Sequence, residues 1–243
     1  MFTYIWHTFF FDPIYNTLVF FLDIMPHGDV GLAIIATVAI VKIVLFPMSL
    51  KAVKTQKIMR ELAPKLKEIK DTHKDNREAL ARATMDAYKE AGMNPFASIL
   101  VLFIQIPVVF ALYFVVAQGS AGIALPAINP DILYWFVSIP SEVSMLFLGS
   151  FDITAKSLAL AFAAGITQFF STKLTIPPLP PRDKDAAPDF KDDLMRNMNL
   201  QMLYVMPFII IIVAYTFSAA IALYFVVSNI AAIIQALIVN KHR

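Results

Sequence analysis

Lys42 is the residue in this 243-residue chain that least fits its surroundings. It stands inside Gly31-Leu32-Ala33-Ile34-Ile35-Ala36-Thr37-Val38-Ala39-Ile40-Val41-Lys42-Ile43-Val44-Leu45-Phe46-Pro47, a stretch otherwise apolar and long enough to cross a bilayer, and it is the only charge there. A charged side chain at the centre of a bilayer costs roughly 2.5–3.5 kcal/mol on insertion scales, so it marks a polar cavity or a pathway rather than packing. Other apolar stretches carry Gln105, then Thr167, Gln168, Ser171 and Thr172, then Ser228, Asn229 and Gln235. Each of these taken alone is a helix-to-helix hydrogen bond, a contact worth about 0.6 kcal/mol on average. Together with an uncompensated cation they point to a water-filled cavity that hydrates them all. Snorkelling is the competing account of Lys42. It lies nine residues before Lys51, about 13 Å along a helix axis, and its stem could carry the ammonium toward a headgroup layer. No expected span contains Asp or Glu, so an internal ion pair is not available to it.

The residue inventory argues against catalysis. The four histidines, His7, His27, His73 and His242, lie in separate segments and never pair at metal-ligand spacing, and there is no cysteine. No Gly-rich phosphate loop follows a strand and no Gly-x-Ser-x-Gly is present, which speaks against an ATP-driven pump or an intramembrane hydrolase. No cofactor or metal is expected.

Composition says what elements must position the polar residues. With 58% hydrophobic and 16% charged residues and a mean hydropathy of +0.67, the chain reads as an all-α, polytopic integral membrane protein of one membrane domain. Its cations are unevenly placed. Residues 1–41 and 90–155 contain no Lys or Arg, whereas eleven of the twenty fall in 51–89. The positive-inside rule puts 51–89 in the cytoplasm, together with the basic loop 173–196 and the end Lys241-His242-Arg243. An outside amino terminus and a cytoplasmic carboxyl terminus then require five spans. They are expected at 30–48, 95–117, 156–173, 202–216 and 219–239, separated by an external loop 118–155 and a cytoplasmic loop 174–200, with 240–243 as a cytoplasmic end. Asn94-Pro95 opens the second span as N-cap and first helical residue. The third is rich in small residues, Ala159, Ala161, Ala163, Ala164 and Gly165, suited to close packing in lipid. The run 202–239 would be about 57 Å long as one helix, nearly twice a roughly 30 Å hydrocarbon core, so it must turn back, at Thr216-Phe217-Ser218.

Three further segments complete the organisation. In 1–29, Asp12-Pro13 breaks an aromatic-rich stretch, leaving an Asp12-capped helix to Ile24 that is too short to cross and is expected to lie on the outer surface. The stretch 130–148, with Tyr134, Trp135, Pro140 and Glu142, is expected to be an external re-entrant or interfacial segment. Residues 49–93 read as a cytoplasmic helical hairpin, from Ile58, Leu62, Leu66 and Ile69 and then Leu80, Ala87 and Tyr88. Pro64 should kink its first arm, Asp75 with Glu78 should cap its second, and Gly92 should end it. Its cations, among them Lys54, Lys57, Arg60, Lys65, Lys67 and Lys70, are interleaved with seven carboxylates without an aromatic platform. That pattern is a solvated helix surface, or a contact for anionic lipid heads or a ribosome, and predicts no specific nucleic acid. The proline-rich 177–181 and the acidic stretch to Asp193 form a cytoplasmic loop.

Several of these residues, taken in order, resemble one family. Gly31-Leu32-Ala33-Ile34-Ile35 leading to a cation five residues before Pro47, the charged hairpin, Asn94-Pro95-Phe96, Gln105-Ile106-Pro107, Met206-Pro207, and Ala222-Leu223-Tyr224-Phe225-Val226-Val227-Ser228-Asn229 resemble the YidC family of membrane-protein insertases across essentially the whole chain. The resemblance implies a bacterial inner-membrane insertase and chaperone that works without ATP and receives nascent integral membrane proteins. Its expected partners are those nascent chains and membrane lipids, with the Sec translocon, the ribosome and targeting factors as candidates. The family encloses a hydrophilic groove open to cytoplasm and lipid and closed outside. Lys42 occupies the position of the family's groove cation, and Gln105, Ser171, Thr172, Tyr224 and Phe225 fall where members line the groove. With Gln168 and Asn229 from the polar residues above, these are the candidate substrate-groove residues. The hairpin resembles the one that recruits substrate, ribosome or targeting factors.

The departures are specific. The family usually has arginine where Lys42 stands, and lysine, unlike arginine, can release its proton when desolvated. Members commonly turn between the last two spans with a proline and a glycine, where this chain has Ser218 and Ala220. No large external domain precedes the first span and the basic end is short, so a small bacterial form is expected. The competing class is a small-solute channel or transporter with Lys42 as an anion site, which would favour inverted repeats and broken helices. A third class is an assembly factor that holds other spans without moving polar tails.

Overall fold

A backbone in lipid must satisfy its own N–H and C=O groups, which leaves helices as the economical answer for long apolar stretches. In a computed structural model describing residues 2–73, 76–92, 96–116, 125–175 and 199–241, the long elements are all helices. In order they are α1 (Phe2–Trp6), a π-turn (His7–Phe11), α2 (Asp12–Ile24), α3 (Val30–Thr72), α4 (Arg77–Glu90) and α5 (Phe96–Val116). Two short strands follow, β1 (Leu146–Phe147) and β2 (Phe151–Asp152), then α6 (Leu158–Thr175), a second π-turn (Gln201–Val205), α7 (Met206–Thr216) and α8 (Ala219–Lys241). Val30–Lys51 and Ala219–Ile238 are long and apolar enough to cross a membrane, and Ile104–Val116 and Gln201–Thr216 are shorter apolar stretches. The chain divides into two compact units, residues 1–44 with 105–243, and residues 45–104.

The first unit has a dry end. Tyr15, Leu18 and Leu22 of α2, Val30, Ile34 and Val38 of α3, Leu112 and Val115 of α5, and Leu223 of α8 share one apolar core with Ile153 from the loop before α6. Hydrogen bonds fasten that loop to the helices. Asn16 Nδ2 donates to the Ile132 carbonyl at 2.8 Å, and the Tyr15 hydroxyl accepts the Asn129 N–H at 2.9 Å. Asp29 accepts the Leu32 N–H, capping α3, at 3.0 Å, and the Leu148 N–H at 2.7 Å. The first N–H groups of α8, which a helix leaves without internal partners, donate to the carbonyls of Ala155 at 2.8 Å and Ile153 at 3.0 Å.

Two expectations are corrected here. Asp12-Pro13 does not break the amino-terminal segment, because helical structure runs from Phe2 to Ile24, roughly 34 Å at α-helical rise. The preceding π-turn accommodates the proline: its wider loop, closed by the Asp12 N–H on the His7 carbonyl, relieves the clash a proline ring makes with the carbonyl four residues back. The same device precedes Pro207, where the Met206 N–H returns to the Gln201 carbonyl. Nor does Asp12 cap a helix. Its carboxylate meets His7 Nδ1 at 2.8 Å, and residues five apart share a face only where the helix widens. The antiparallel pair β1–β2 around the turn at Leu148 and Gly149 was not expected in an all-helical reading.

α6, α7 and α8 meet along small residues. Ala161 and Ala164 of α6, Ala214 of α7 and Ala222 of α8 are buried together. A Cβ on Gly165 would stand 2.6 Å from Ile211 Cδ1 and 3.1 Å from the Pro207 carbonyl oxygen, so this position holds glycine for close approach. Without a hydrophobic force between helices in lipid, such contact supplies the dispersion energy that joins them. α7 and α8 are separated by Phe217 and Ser218.

In the second unit α3 continues through Pro64 to Thr72. Asn76 caps α4, its Oδ1 accepting the N–H groups of Glu78 at 3.1 Å and Ala79 at 3.0 Å. Lys65 Nζ meets Glu90 Oε2 at 2.6 Å across the two helices, and this hydrogen bond and charge hold the Glu90 carboxyl below the usual carboxylate range. α4 closes where the Gly92 N–H returns to the Lys89 carbonyl at 2.9 Å. The expected Asp75 cap, Asn94-Pro95 and the loop at 177–193 lie outside the described residues.

Candidate functional site

The register of three helices builds the site. On α3 the inward face is Val30, Ala33, Ile34, Thr37 and Val38, all buried. Lys42, four residues beyond Val38, continues that face and is half-buried, while Ile43 and Val44 beside it are exposed. A helix that turns its lysine inward and its branched apolar residues outward is arranged for a lipid surround. On α5 Val108, Ala111, Leu112, Val115 and Val116 are buried, and Gln105 lies one turn before Val108 on the face of Val108 and Leu112. Lys42 Nζ donates to Gln105 Oε1 at 3.4 Å. That contact directs the ammonium at α5, so snorkelling does not describe the conformation observed.

α8 supplies the third wall. Ala219, Ala220 and Leu223 belong to the dry core, Tyr224 at its lower edge is 1% exposed, and Ser228 one turn on is 3% exposed. The Tyr224 side chain lies against Gln105 and Ser228. Ser228 Oγ and, seven residues further, Gln235 Nε2 are buried without a hydrogen-bond partner among the described residues. A buried donor left unmade costs about 1–3 kcal/mol, and polar groups of this kind call for water or a polar guest. Directly beneath an apolar cap, then, come a cation, an amide, a phenol and a hydroxyl. Phe225, half-buried, packs its ring edgewise on Tyr224 with centroids 5.6 Å apart.

The other expected groove residues gather on α6. Gln168 Nε2 donates to Thr172 Oγ1 at 3.0 Å, and Ser171 and Thr172 are buried. Asn229 joins α8 to α6, its Nδ2 donating to the Ala164 carbonyl and to Thr167 Oγ1, both at 3.3 Å. Asn229 is therefore a strut whose amide is already engaged. Replacing it with alanine should lower stability by about 1 kcal/mol, the scale of interhelical hydrogen bonds in membranes, measured by denaturation in detergent. A stability equal to that of the unsubstituted chain would show the strut to be idle.

Among the expected hairpin residues, Lys65 is paired with Glu90 and Lys70 is half-buried. Lys54, Lys57, Arg60 and Lys67 lie on α3 within the second unit. Ser228, polar in the last expected span, is not among the candidate groove residues read from the sequence. Its spacing of four from Tyr224 and seven from Gln235, one face of a helix, is the signal that picks it out. No group of three or more His, Asp or Glu gathers to hold a metal among the described residues. Near the Lys42–Gln105 pair the chemistry is that of solvation: donors, acceptors and one positive charge, able to receive a polar or acidic segment without breaking a bond.

The model of the family described as 60Kd inner membrane protein matches residues 21–243. A protein of Oceanobacillus iheyensis named membrane protein insertase YidC is 31% identical over 241 residues, covering 98% of this chain and 84% of its own. A Bacillus anthracis protein named membrane protein insertase YidC 2 is 29% identical over 237 residues, covering 96% and 80%. A Francisella tularensis subsp. novicida protein named membrane protein insertase YidC is 27% identical over 239 residues, covering 94% of this chain and 37% of that longer protein.

Proposed function

This chain belongs to the 60Kd inner membrane protein family, whose similar members are named YidC membrane protein insertases, and on that premise we propose that it inserts newly made integral membrane proteins through a polar groove containing Lys42. It is a protein of the cell membrane and not an enzyme in the catalytic sense. Its orientation follows from charge. The dry cap carries no Lys or Arg between 90 and 155 and faces outward, whereas the cation-rich 51–89 faces the cytoplasm. Five spans connect these sides, with the amino terminus outside and the carboxyl terminus in the cytoplasm.

The observation that carries the reading is the stacking of a polar layer on a dry core within one set of helices. Lys42 lies one turn beyond the buried Val38, Gln105 one turn before the buried Val108, and Ser228 one turn beyond Tyr224 at the core's edge. Hydration up to that layer leaves only the cap's thickness as the hydrophobic barrier. A substrate's acidic outer tail can then wait near the ammonium in water, and the apolar segment that follows can partition into lipid as the tail crosses. Transfer of that segment supplies the driving force, so no ATP is required. Ser171, Thr172 and Gln168 extend the polar wall along α6. The second unit, with Lys54, Lys57, Arg60, Lys65, Lys67 and Lys70, receives nascent chains, with the ribosome, targeting factors and the Sec translocon as the partners to test.

Photocrosslinking decides the placement. A photoreactive residue at Gln105 or Tyr224 should crosslink a ribosome-stalled nascent membrane protein, and one at the lipid-facing Val44 should do so less. Crosslinks from Gln105 and Tyr224 to lipid alone would overturn the groove.

A further inference from the structure

Trp135 is 95% exposed, the highest value among the large apolar side chains of the described residues. Phe136 and Ile139 beside it are also exposed. This is no frayed loop. Asn16 Oδ1 accepts the Tyr134 N–H at 2.5 Å, its Nδ2 holds the Ile132 carbonyl at 2.8 Å, and the Val137 N–H closes a turn on the Tyr134 carbonyl at 2.9 Å. The Trp135 ring stands edgewise on Phe136 at 5.5 Å between centroids, and Tyr134 is tilted against the same ring at 5.7 Å. A buried asparagine of α2 thus presents a rigid aromatic tip.

We propose that this tip, Trp135 and Phe136 with Ile139, is seated in the headgroup layer of the outer leaflet and sets the depth of the capped end in the membrane. The proposal rests on the orientation given above. Exposed apolar surface continues from α5, at Phe110 and Phe114, through the Trp6–Phe114 edge contact at 6.3 Å to Tyr4 and Phe9. The bilayer faces of the helices therefore lead onto the capped end. The loop's charge supports the choice of occupant. Between residues 125 and 155 there are Asp131, Glu142 and Asp152 but no cation, so neither anionic headgroups nor acidic polypeptides are attracted. An indole has an apolar body and one N–H donor, which suits the boundary where acyl chains meet ester carbonyls.

The chain contains two tryptophans, Trp6 and Trp135, so Trp6→Phe leaves Trp135 as the sole indole emitter. In the full-length protein reconstituted into phosphatidylcholine vesicles, lipids brominated near the carbonyl end should quench at least about half of its emission. Iodide in the outer solution should quench little. Strong iodide quenching with none from brominated lipid would place Trp135 in water, available to a protein partner, and would overturn the proposal. Stronger quenching by bromines near the chain ends would overturn the depth assigned. If Trp6→Phe does not fold, the difference in emission between the unsubstituted chain and Trp135→Phe reports the same quantity. No substrate takes part, so failure here leaves the insertase reading intact, and failed crosslinking at Gln105 leaves this one intact.

Discussion

Lys42→Glu should lower the insertion of substrates with acidic outer tails by about tenfold or more, while Lys42→Arg keeps it within about twofold. Two unit charges about 7 Å apart interact by roughly 2 kcal/mol at an effective dielectric of about 20, so reversing the sign moves the tail's energy by roughly twice that. Part of this is screened by water and salt, and the remainder exceeds the 1.4 kcal/mol that a factor of ten represents. Arginine keeps the charge and can still reach the Gln105 amide, although its planar fork presents donors differently from the compact ammonium seen at 3.4 Å. Cells depleted of their own insertase and supplied with each variant give the measurement, by protease protection of a pulse-labelled substrate. A substrate whose outer tail is uncharged serves as the control and should be affected much less. Equal insertion of the acidic-tailed substrate by both variants would remove the electrostatic role from Lys42, as would an equal loss for both kinds of tail.

The second large effect is on stability, at Gly28. Its φ of +60° lies in the left-handed region, and a Cβ there would run into the Glu142 carbonyl, 2.7 Å from its carbon and closer still to its oxygen. Those atoms are backbone and have no rotamer with which to yield. The residues in contact are also the clasp between the start of α3 and the loop: Ser144 N–H donates to the Gly28 carbonyl at 2.9 Å, and Val30 N–H to the Ser144 carbonyl at 3.0 Å. Gly28→Ala combines a left-handed alanine, about 1–2 kcal/mol, with overpacking, about 1–3 kcal/mol. A loss near 3 kcal/mol corresponds to a fall in Tm of about 6–12 °C for a chain of this size. Thermal unfolding in detergent checks it, and the loop at 125–155 should become the first site of proteolysis. A Tm within about 1 °C of the unsubstituted chain would show that the clasp opens without cost.

Much of the site was legible in the residues. Lys42 was conspicuous because a charge among sixteen apolar or small neighbours has no local reason to be there. Gln105 stood out in the same way, as an amide in an apolar stretch, whereas Tyr224 followed only from the family resemblance; in the structure the Tyr224 side chain lies against Gln105. Asn229 shows where such reading runs out. In sequence it is one more polar residue in an apolar helix, but whether its amide faces a cavity or a neighbouring helix depends on Ala164 and Thr167, more than sixty residues away. Asp12 failed for a different reason. Asp-Pro is a common way to open a helix, and the π-turn that lets the helix pass through Pro13 has no pattern of its own in composition or periodicity.

Hydropathy and charge accumulate along a chain residue by residue, so the sequence alone determined that this is a mostly helical membrane protein with its cations crowded into one segment and a lone lysine inside an apolar helix. Pairwise contacts do not accumulate that way. Only the tertiary structure decided that Lys42 turns to Gln105, that Asn229 is bound to α6, that Ser228 is buried beside Tyr224, and that Asn16 holds the aromatic tip at Trp135. The reason is geometric: a hydrogen bond requires its two atoms within about 3.5 Å at a permitted angle, and helices far apart in sequence meet those limits only after packing has fixed their rotation and depth.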